Sequence, residues 1–318
     1  MYHPRDFQAL AALIDAATAP ERVMTASGLR EFLDVPGFRP EADLFVAPGE
    51  DGSGLLGARD VRVTARGDEA VPILESWGVL HPAARQGAVG SGLLHAAMHR
   101  AGQIVKERER AQGIFQARCS TDDEAAQRLF ESCGLHQARV LLTIFRPNLD
   151  NIDPPHFPEE IVVRPYRAGQ DDDLWVDAFN DAFADHWGRF MGMSLAFWTR
   201  YVRRPSFRPE VSLVAWDGSE IAGFGHFRID DDQNALIGRK QSVMRYIGVR
   251  PRWRRLGLGV ALTRAGLLAS RAAGMTACIS GVDAENVTGA HHIYEREGFV
   301  TIKRQFMYRA KVPVQPEP

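Results

Sequence analysis

A chain of 318 residues is about twice the length of an average domain, which favours two domains. Apolar residues make up 45% and charged residues 25% of the chain, as in ordinary globular proteins. A net charge of −2 argues against nucleic acid or an anionic membrane as a general partner. The three cysteines stand far apart and outside any Cys/His cluster, which argues against a disulfide framework or a zinc site. Without a membrane-length apolar run or a signal-peptide core, we expect a cytoplasmic, metal-independent protein.

The first half of the chain alternates strand and helix patterns. In chain order they are a helix at 6–17, strands at 42–48, 55–65 and 72–80, a helix from about 90 to 110, a strand at 114–120, a helix at 123–134 and a strand at 138–145. The segment that follows, 146–160, is rich in Pro, Asn and Asp and has no period. It marks a boundary between the halves.

The second half has a similar order. It contains a strand at 161–166, a helix at 170–187, a hairpin at 211–229, a strand at 242–249, a helix at 257–273, a strand at 277–283, a helix at 285–298 and a strand at 299–312. We therefore predict an α/β (α+β) protein with a first domain at 1–147, a linker at 148–160 and a second domain at 161–318.

Two local matches indicate a duplication. The segment from His81 to Gly90 parallels the segment from Arg250 to Gly259, and "LFESCGL" (129–135) parallels "IYEREGF" (293–299). We expect the first copy to lack an opening strand, because the sequence enters almost directly into a helix pattern. One unit therefore occurs twice.

The stretch "VRPRWRRLGLGVAL" (249–262) joins a strand to a helix through Gly257 and Gly259. Such a turn exposes backbone N–H groups at the positive end of the helix dipole, which favours an anion there. No Lys-Ser/Thr follows, so the turn is not a Walker A loop. Leu262 takes the third glycine position of a Rossmann fingerprint, so that class is excluded too.

The Arg-x-x-Gly-x-Gly pattern of this turn, followed by "NVTGAHHIYEREGF" (286–299), resembles the GNAT acetyltransferase superfamily. The tandem arrangement and "AFNDAFADHWG" (178–188) resemble its mycothiol synthase-like branch. The resemblance implies two tandem GNAT-like domains, each a mixed, mostly antiparallel sheet flanked by helices. It also implies acetyl-CoA as the acyl donor.

The resemblance assigns the contacts to coenzyme A. The pyrophosphate would be held mainly through backbone N–H groups of Arg254, Arg255, Leu256, Gly257, Leu258, Gly259 and Val260. A basic surface turn is the alternative interpretation of this stretch. Nearby arginines, which are Arg250, Arg252 and Arg255, are candidates for the adenosine 3′-phosphate.

The resemblance also implies catalytic roles. The strand 246–249, through Ile247, Gly248 and Val249, would pair with the pantetheine arm, and an N–H near Gly248 or Val249, with Val249 preferred, would polarise the thioester carbonyl. Asn286 would bind the pantetheine amide or cap a helix. Tyr294 is the expected general acid, with an ordinary core tyrosine as the alternative.

The general base stays open, because "KQSVMRYIGV" has no acidic residue where the family often has one. Candidates are Asp283, Glu285, His291, His292, Asp185 and His186. No Cys–His nucleophile pair is evident, which favours direct attack by the amine. The acidic runs 171–173 and 230–232 could attract a cationic amine, but solvated turns are the expected interpretation.

The first copy carries Phe130 where the second has Tyr294, and Ala88 where the second has Gly257. Phenylalanine cannot donate a proton, so we expect the first copy to have lost catalysis. The predicted function is acetyl transfer to a primary amine of a small molecule or peptide. Alternatives are acetylation of a cysteinyl pseudo-disaccharide, as in mycothiol assembly, or a non-catalytic CoA-binding module. We expect a monomer built as a pseudo-dimer of domains, or a homodimer.

Overall fold

The structure is a computed structural model that describes residues 1–17, 26–35, 37–49, 52, 54–63, 71–85, 87–184, 192–285 and 290–313. It contains two compact units. The first consists of Met1–Val140 and Gln305–Pro318, and the second of Leu141–Arg304. Both mix helices with β-sheet, as the sequence predicted.

The first unit surrounds a long helix with short strands. Its elements, in chain order, are α1 (Phe7–Ala17), α2 (Ala26–Leu33), α3 (Pro40–Asp43), β1 (Leu44–Pro48), β2 (Leu55–Asp60), β3 (Arg62–Val63), β4 (Ile73–Ser76), β5 (Gly78–Leu80), α4 (Val89–Glu107), β6 (Gln112–Ser120) and α5 (Glu124–Ser132). Strand β2 pairs antiparallel with β1 and β5, whereas β4 pairs antiparallel with β3 and parallel with β6. The predicted strands 55–65 and 72–80 are thus each divided in two.

The second unit is a mixed sheet with helices on both faces. After β7 (His136–Arg146), the elements are β8 (Ile161–Pro165), α6 (Asp172–Ala182), α7 (Leu195–Tyr201), β9 (Phe207–Asp217), β10 (Glu220–Ile229), α8 (Asp231–Ile237), β11 (Gln241–Val249), α9 (Leu258–Ala272), β12 (Ala277–Asp283), α10 (Ala290–Arg296) and β13 (Val300–Pro313). Strands β8, β9, β10 and β11 pair antiparallel in sequence order, β11 pairs parallel with β12, and β12 pairs antiparallel with β7.

The compact units do not follow the predicted sequence boundaries. The end of β7, from Leu141 to Arg146, pairs with β12 and belongs to the second unit. The end of β13, from Gln305 to Pro313, pairs with β6 and belongs to the first unit. The sequence predicts both strands, but a strand pattern does not specify the partner strand. The last strand of each half therefore begins in one compact unit and ends in the other.

The segment predicted as a linker is bound to the second unit. The Arg146 guanidinium donates hydrogen bonds to the carbonyls of Asn148, Asn151 and Glu297. Arg271 donates to the carbonyl of Asp150 at 3.0 Å. These charge-assisted bonds give a segment without regular structure a fixed position.

Helices cover the two faces of the second sheet in different ways. On one face, which we call the α6–α7 face, Trp175 stacks on Trp198 with ring centroids 3.5 Å apart. On the other, the α9 face, Gly266 lies so close to the sheet that a Cβ atom would come within 2.0 Å of the Phe227 ring. A glycine therefore sets the distance of α9 from β10.

The two acidic runs begin helices α6 and α8, which corrects the sequence interpretation in part: Asp173, Asp231 and Asp232 are exposed to solvent, but the first residue of each run has a structural role. Asp171 is buried and accepts two hydrogen bonds from Arg164, at 2.7 and 2.8 Å. Asp230 caps α8 by accepting from the Gln233 N–H at 3.0 Å. An aspartate before a helix is a common N-cap, so the capping role of Asp230 could have been predicted from the sequence.

Replacing Gly266 tests how closely α9 packs. Gly266→Ala should lower the free energy of unfolding by about 1–3 kcal/mol, because overpacking against Phe227 outweighs the better helix propensity of alanine. In the same helix, a Cβ at Gly259 would meet nothing within 4 Å. Gly259→Ala should therefore be neutral or slightly stabilising. Chemical denaturation of both variants measures the contrast, and equal stabilities would contradict the packing.

Candidate active site

The parallel pairing between β11 and β12 ends part-way along both strands. Pairing runs from Gln241 with Ala277 to Met244 with Ser280. Beyond this point, among the described strands, β11 pairs with β10 alone as far as Val249, and β12 with β7 alone as far as Asp283. The Ser280 hydroxyl donates to the Met244 carbonyl at 2.9 Å and closes the apex. The strands therefore enclose an opening whose edges carry backbone groups without a strand partner.

The edge of β11 that faces this opening can be assigned from its hydrogen bonds. The Arg250 N–H donates to the Ala222 carbonyl, on the β10 side. Backbone groups alternate along a strand, so the N–H groups of Ile247 and Val249 point away from β10, into the opening. The Val249 carbonyl also points away from β10, because it accepts a hydrogen bond from the Arg254 side chain at 3.2 Å.

Gly248 has a packing role. A Cβ at this position would lie 2.2 Å from the Phe224 ring on the α6–α7 face. By the same alternation, its N–H points toward β10. The N–H groups that face the opening therefore belong to the neighbouring residues, Ile247 and Val249. A glycine is needed at position 248 because the Phe224 ring leaves no room for a side chain.

The turn after β11 ends in a helix start without a side-chain cap. A single 3-10 turn at Pro251–Trp253 leads to two left-handed residues, Arg255 with φ of 67° and Gly257 with φ of 80°. Gly257 is the N-cap of α9, and no side chain caps that end. The first N–H groups of a helix have no partner within it, so those of α9 are oriented to bind an anion.

Most arginines of this turn are engaged by the protein. Arg250 pairs with Asp181 at 2.6 Å, and Arg252 pairs with Glu220 at 2.9 Å. Arg254 donates to the Ala182 carbonyl at 3.1 Å in addition to its bond with β11. In the part of the chain that the structure describes, the exposed Arg255 makes no ion pair. Of the arginines named for the 3′-phosphate, Arg255 is thus the one whose charge no described carboxylate balances.

Tyr294 lies on α10, near Cys278 of β12. Burial, with a smaller effect of the Cys278 thiol, raises the pKa of Tyr294 to about 12. The phenol therefore keeps its proton at neutral pH and can donate it. Burial also raises the pKa of Cys278 to about 11, so this thiol is a poor nucleophile.

The candidates for general base do not converge. Asp283 is buried and accepts the Glu285 N–H at 2.9 Å, whereas His292 is exposed and lies 3.4 Å from Glu295. Asn286, Asp185 and His186 lie outside the described residues, as does the side chain of His291.

The structure reveals a polar cluster that sequence reasoning missed. At a bulge, Tyr246 pairs with His226 and Met244 with Phe227, which leaves Arg245 as the extra residue of β11. Arg245 hydrogen-bonds to the phenols of Tyr246 and Tyr201, and these groups raise its pKa. The sequence feature that could have indicated this cluster is the pair Arg245-Tyr246 within an otherwise apolar strand. Neither the bulge nor the position of Tyr201 could be predicted from the sequence.

The first unit has the same opening in a blocked form. Strand β4 pairs with β6 up to Ser76, while β5 pairs only with β2. Arg59, opposite Gly78, extends across it: a Cβ on Gly78 would lie 2.6 Å from the guanidinium. The same guanidinium lies 5.6 Å from the centre of the Phe130 ring and donates to the Ser76 hydroxyl. In the second unit, the matching pair is Gly225 and Ile247. An arginine therefore covers this face in the first unit, where the second unit has a glycine at the matching position.

A Cys–His contact occurs in the first unit, although the sequence indicated none. Cys133 Sγ lies 3.7 Å from His95 Nε2. In the second copy the matching residues are Glu297 and Arg264, which form an ion pair with two 2.9 Å hydrogen bonds. The position joins two helices in both units, so we interpret Cys133 and His95 as a structural contact.

The described residues contain neither a metal cluster nor a membrane-spanning helix. In those ranges, no three His, Cys, Asp or Glu side chains lie close enough together to hold a metal ion. None of the described helices combines the length and apolar character needed to cross a membrane.

A mixed sheet whose central parallel pair opens beside a glycine-capped helix defines the acyltransferase class that the sequence resemblance predicted. The family model for the acetyltransferase (GNAT) family matches residues 170–299. A mycothiol acetyltransferase of Geodermatophilus obscurus is 30% identical over 93% of this chain and 91% of its own length. One from Thermobispora bispora is 31% identical over 73% and 74%. The chain belongs to the GNAT acetyltransferase family and is an N-acetyltransferase.

Solved structures extend the likeness of fold to the whole chain. A GCN5-related N-acetyltransferase from Sphaerobacter thermophilus gives a TM-score of 0.78 at 22% identity, covering 100% of this chain and 96% of that one. A tandem GNAT protein from the clavulanic acid biosynthesis pathway gives 0.67 at 14% identity, covering 99% and 96%. The predicted tandem GNAT architecture is confirmed.

The raised pKa of Tyr294 can be measured directly. In an ultraviolet difference titration of the wild type against Tyr294→Phe, the missing phenol should ionise near pH 12, well above the ordinary value of about 10. Because the folded state holds this proton more tightly, the wild type should lose stability relative to Tyr294→Phe as pH rises from about 10 toward about 12. Ionisation at or below pH 10 would show that the phenol is not desolvated.

Proposed function

We propose that this chain transfers the acetyl group of acetyl-CoA to a primary amine at the opening between β11 and β12. The observation that carries the proposal is the end of pairing at Met244 and Ser280, next to the uncapped start of α9. An extended amide-containing arm can pair with such an edge, and a pyrophosphate suits such a helix start. The residues present therefore fit the donor.

The turn would hold the pyrophosphate. The backbone N–H groups from Leu256 to Val260 would donate to its oxygens, with Arg255 adding a positive charge. Space around Gly259 supports this role, since a Cβ there would meet no atom of the protein within 4 Å. Arg254 would act indirectly, because its bonds to Val249 and Ala182 fix the turn.

The β11 edge would hold the pantetheine arm and polarise the thioester. With the pyrophosphate at α9, the arm runs back along β11 and its reactive end lies nearest the apex. Both Ile247 and Val249 direct an N–H into the opening, and Ile247 is the nearer to the apex. We therefore assign the oxyanion donor to Ile247 and a pantetheine contact to Val249, which refines the sequence-based choice of Val249.

The chemical step would be a direct attack. The amine nitrogen forms a bond to the carbonyl carbon, the carbon–sulfur bond breaks, and the Tyr294 hydroxyl gives its proton to the departing sulfur. The nitrogen loses a proton to water, which restores the phenol proton. No described carboxylate faces the apex to serve as base. The positive charge of Arg245 supports this route, because a nearby like charge lowers the pKa of an ammonium group.

A second candidate acceptor is a cysteinyl pseudo-disaccharide. The names of the relatives above favour it, at about 30% identity. Asn286, which lies outside the described residues, remains a predicted ligand of the pantetheine amide. A non-catalytic CoA-binding module is the rival from another class, and a phenol on α10 that keeps its proton at neutral pH, Tyr294, argues against it.

A charge introduced at Gly259 tests the donor site. Gly259→Glu should abolish acetyl-CoA binding in calorimetry, because a carboxylate would face the pyrophosphate. It should not unfold the protein, since the site has room and a negative charge suits a helix start. Gly87→Glu, in the corresponding turn of the first unit, is the matched control and should leave one full binding site. Retained affinity in Gly259→Glu would refute this assignment of the pyrophosphate site.

Removal of the phenol tests the acid. Tyr294→Phe should lower kcat on the order of 10- to 100-fold with nearly unchanged acetyl-CoA affinity, because only the departing thiolate loses its proton donor. Stopped-flow release of the free thiol measures this step. Unchanged turnover would remove Tyr294 from the mechanism. Tight CoA binding without thiol release for any amine would favour the non-catalytic module.

A further inference from the structure

Two arginines beside the apex of the opening lack a counter-charge among the described residues. Arg245, the extra residue of the bulge, is exposed to solvent on the α6–α7 face. Arg228, on the neighbouring strand β10, has its Nε atom buried without a hydrogen-bond partner. Within the described ranges, neither side chain makes an ion pair with a carboxylate. A buried guanidinium donor without an acceptor is costly, so this position favours an acceptor atom from outside.

A chain of hydrogen bonds holds Arg245 in place. The Ser212 hydroxyl donates to the Phe227 carbonyl, 3.2 Å away, and lies 2.8 Å from His226 Nδ1, so we assign the tautomer in which Nδ1 carries the proton and donates it to Ser212. His226 Nε2 is then an acceptor and takes the Tyr201 hydroxyl proton at 3.0 Å. This leaves the Tyr201 oxygen free to accept from Arg245. Tyr201 is thus a positioning residue for Arg245.

The His226 imidazole in this chain of hydrogen bonds carries no charge. Burial, followed by the charges of Arg245 and Arg228, holds the pKa of His226 well below its usual range. The ring is therefore neutral, and the charged groups of the described residues that act on it, Arg245 and Arg228, are both positive. Tyr201, whose pKa burial raises, is neutral as well. Among the described residues, the permanent charges of this cluster are consequently its two guanidinium groups.

This cluster lies where the acceptor must enter, provided that the proposed function holds. The α9 face of the opening is taken by the start of α9, and Tyr294 lies near Cys278 on β12. The α6–α7 face at the apex is bordered instead by Arg245, Tyr246 and Tyr201. An amine that attacks the thioester from this side has its substituents within reach of Arg245.

We propose that the acceptor amine carries an oxyanion, a carboxylate or a phosphate, which the Arg245 guanidinium binds with support from Arg228. The proposal rests on the proposed function and narrows its substrate class. A planar guanidinium held by two phenols suits such an oxyanion, because it still has donors left for a paired contact. A neutral acceptor would leave these donors and the Arg228 Nε atom without a counter-charge.

Amines that differ in the oxyanion alone provide the probes. One pair is β-alanine and its amide, and the other is O-phosphoethanolamine and ethanolamine, so the two pairs separate carboxylate from phosphate. Binding is measured by calorimetry to the full chain saturated with CoA, and transfer is measured as kcat/KM with acetyl-CoA. We expect at least one anionic member to bind about 10- to 100-fold more tightly than its neutral counterpart.

Variants of Arg245 test whether this residue causes the preference for anionic amines. Arg245→Gln should reduce the anionic-to-neutral ratio by about 10- to 100-fold, Arg245→Lys should restore part of it, and Tyr201→Phe should reduce it mainly through KM. Comparing ratios cancels the differing basicity of the paired amines. Arg203→Gln removes an exposed arginine nearby in the chain and should leave the ratio unchanged. Thermal unfolding checks that each variant is folded.

The outcomes separate this inference from the proposed function. Equal affinity within both pairs, no binding of any member, or an unchanged ratio in Arg245→Gln would overturn the anionic acceptor. Preferential binding of an anionic member without acetyl transfer to any amine would instead leave the anion site standing and refute the proposed function. A preference for the neutral members in both pairs would favour a neutral acceptor such as a cysteinyl sugar.

Discussion

The structure of the second unit depends on one interruption, the end of pairing between two parallel strands. Strand β11 remains paired with β10 and strand β12 with β7, so the two diverge without either losing its place in the sheet. The bulge at Arg245 adds a residue to one strand at this point, and bulges increase local twist. The result is backbone hydrogen-bonding capacity without a strand partner, next to the start of α9.

The two copies of the unit share this interruption but use it differently. In the second copy, Gly225 lies opposite Ile247, so β10 contributes no side chain to that face at this position. In the first copy, Arg59 lies opposite Gly78 and covers that face. Burial lowers the pKa of Arg59 only to about 10, so it still carries its charge at neutral pH. An exchange of large and small residues across one strand pair, together with Phe130 in place of Tyr294, supports our proposal that the second copy is the active one.

Sequence reasoning was strongest where the chemistry is local. The turn at 254–260, its glycines and the helix that follows were predicted because their signals lie within a few residues. The exchange of β7 and β13 was missed, since strand patterns do not name their partners. The sequence analysis assigned Gly248 to binding of the pantetheine arm. The structure explains this glycine instead by the ring of Phe224, a residue distant in sequence. The cluster of Arg245, Tyr201 and His226 joins three elements, so no single window contained it.

We propose that the opening between β11 and β12 holds the acyl donor. A crystal structure of the complex with acetyl-CoA would show this directly. We expect one bound molecule in the second unit, with its pyrophosphate at the N–H groups of residues 256–260 and its arm bonded to the N–H groups of Ile247 and Val249. A donor bound instead across Arg59 in the first unit, or one that leaves the β11 edge without contact, would contradict it.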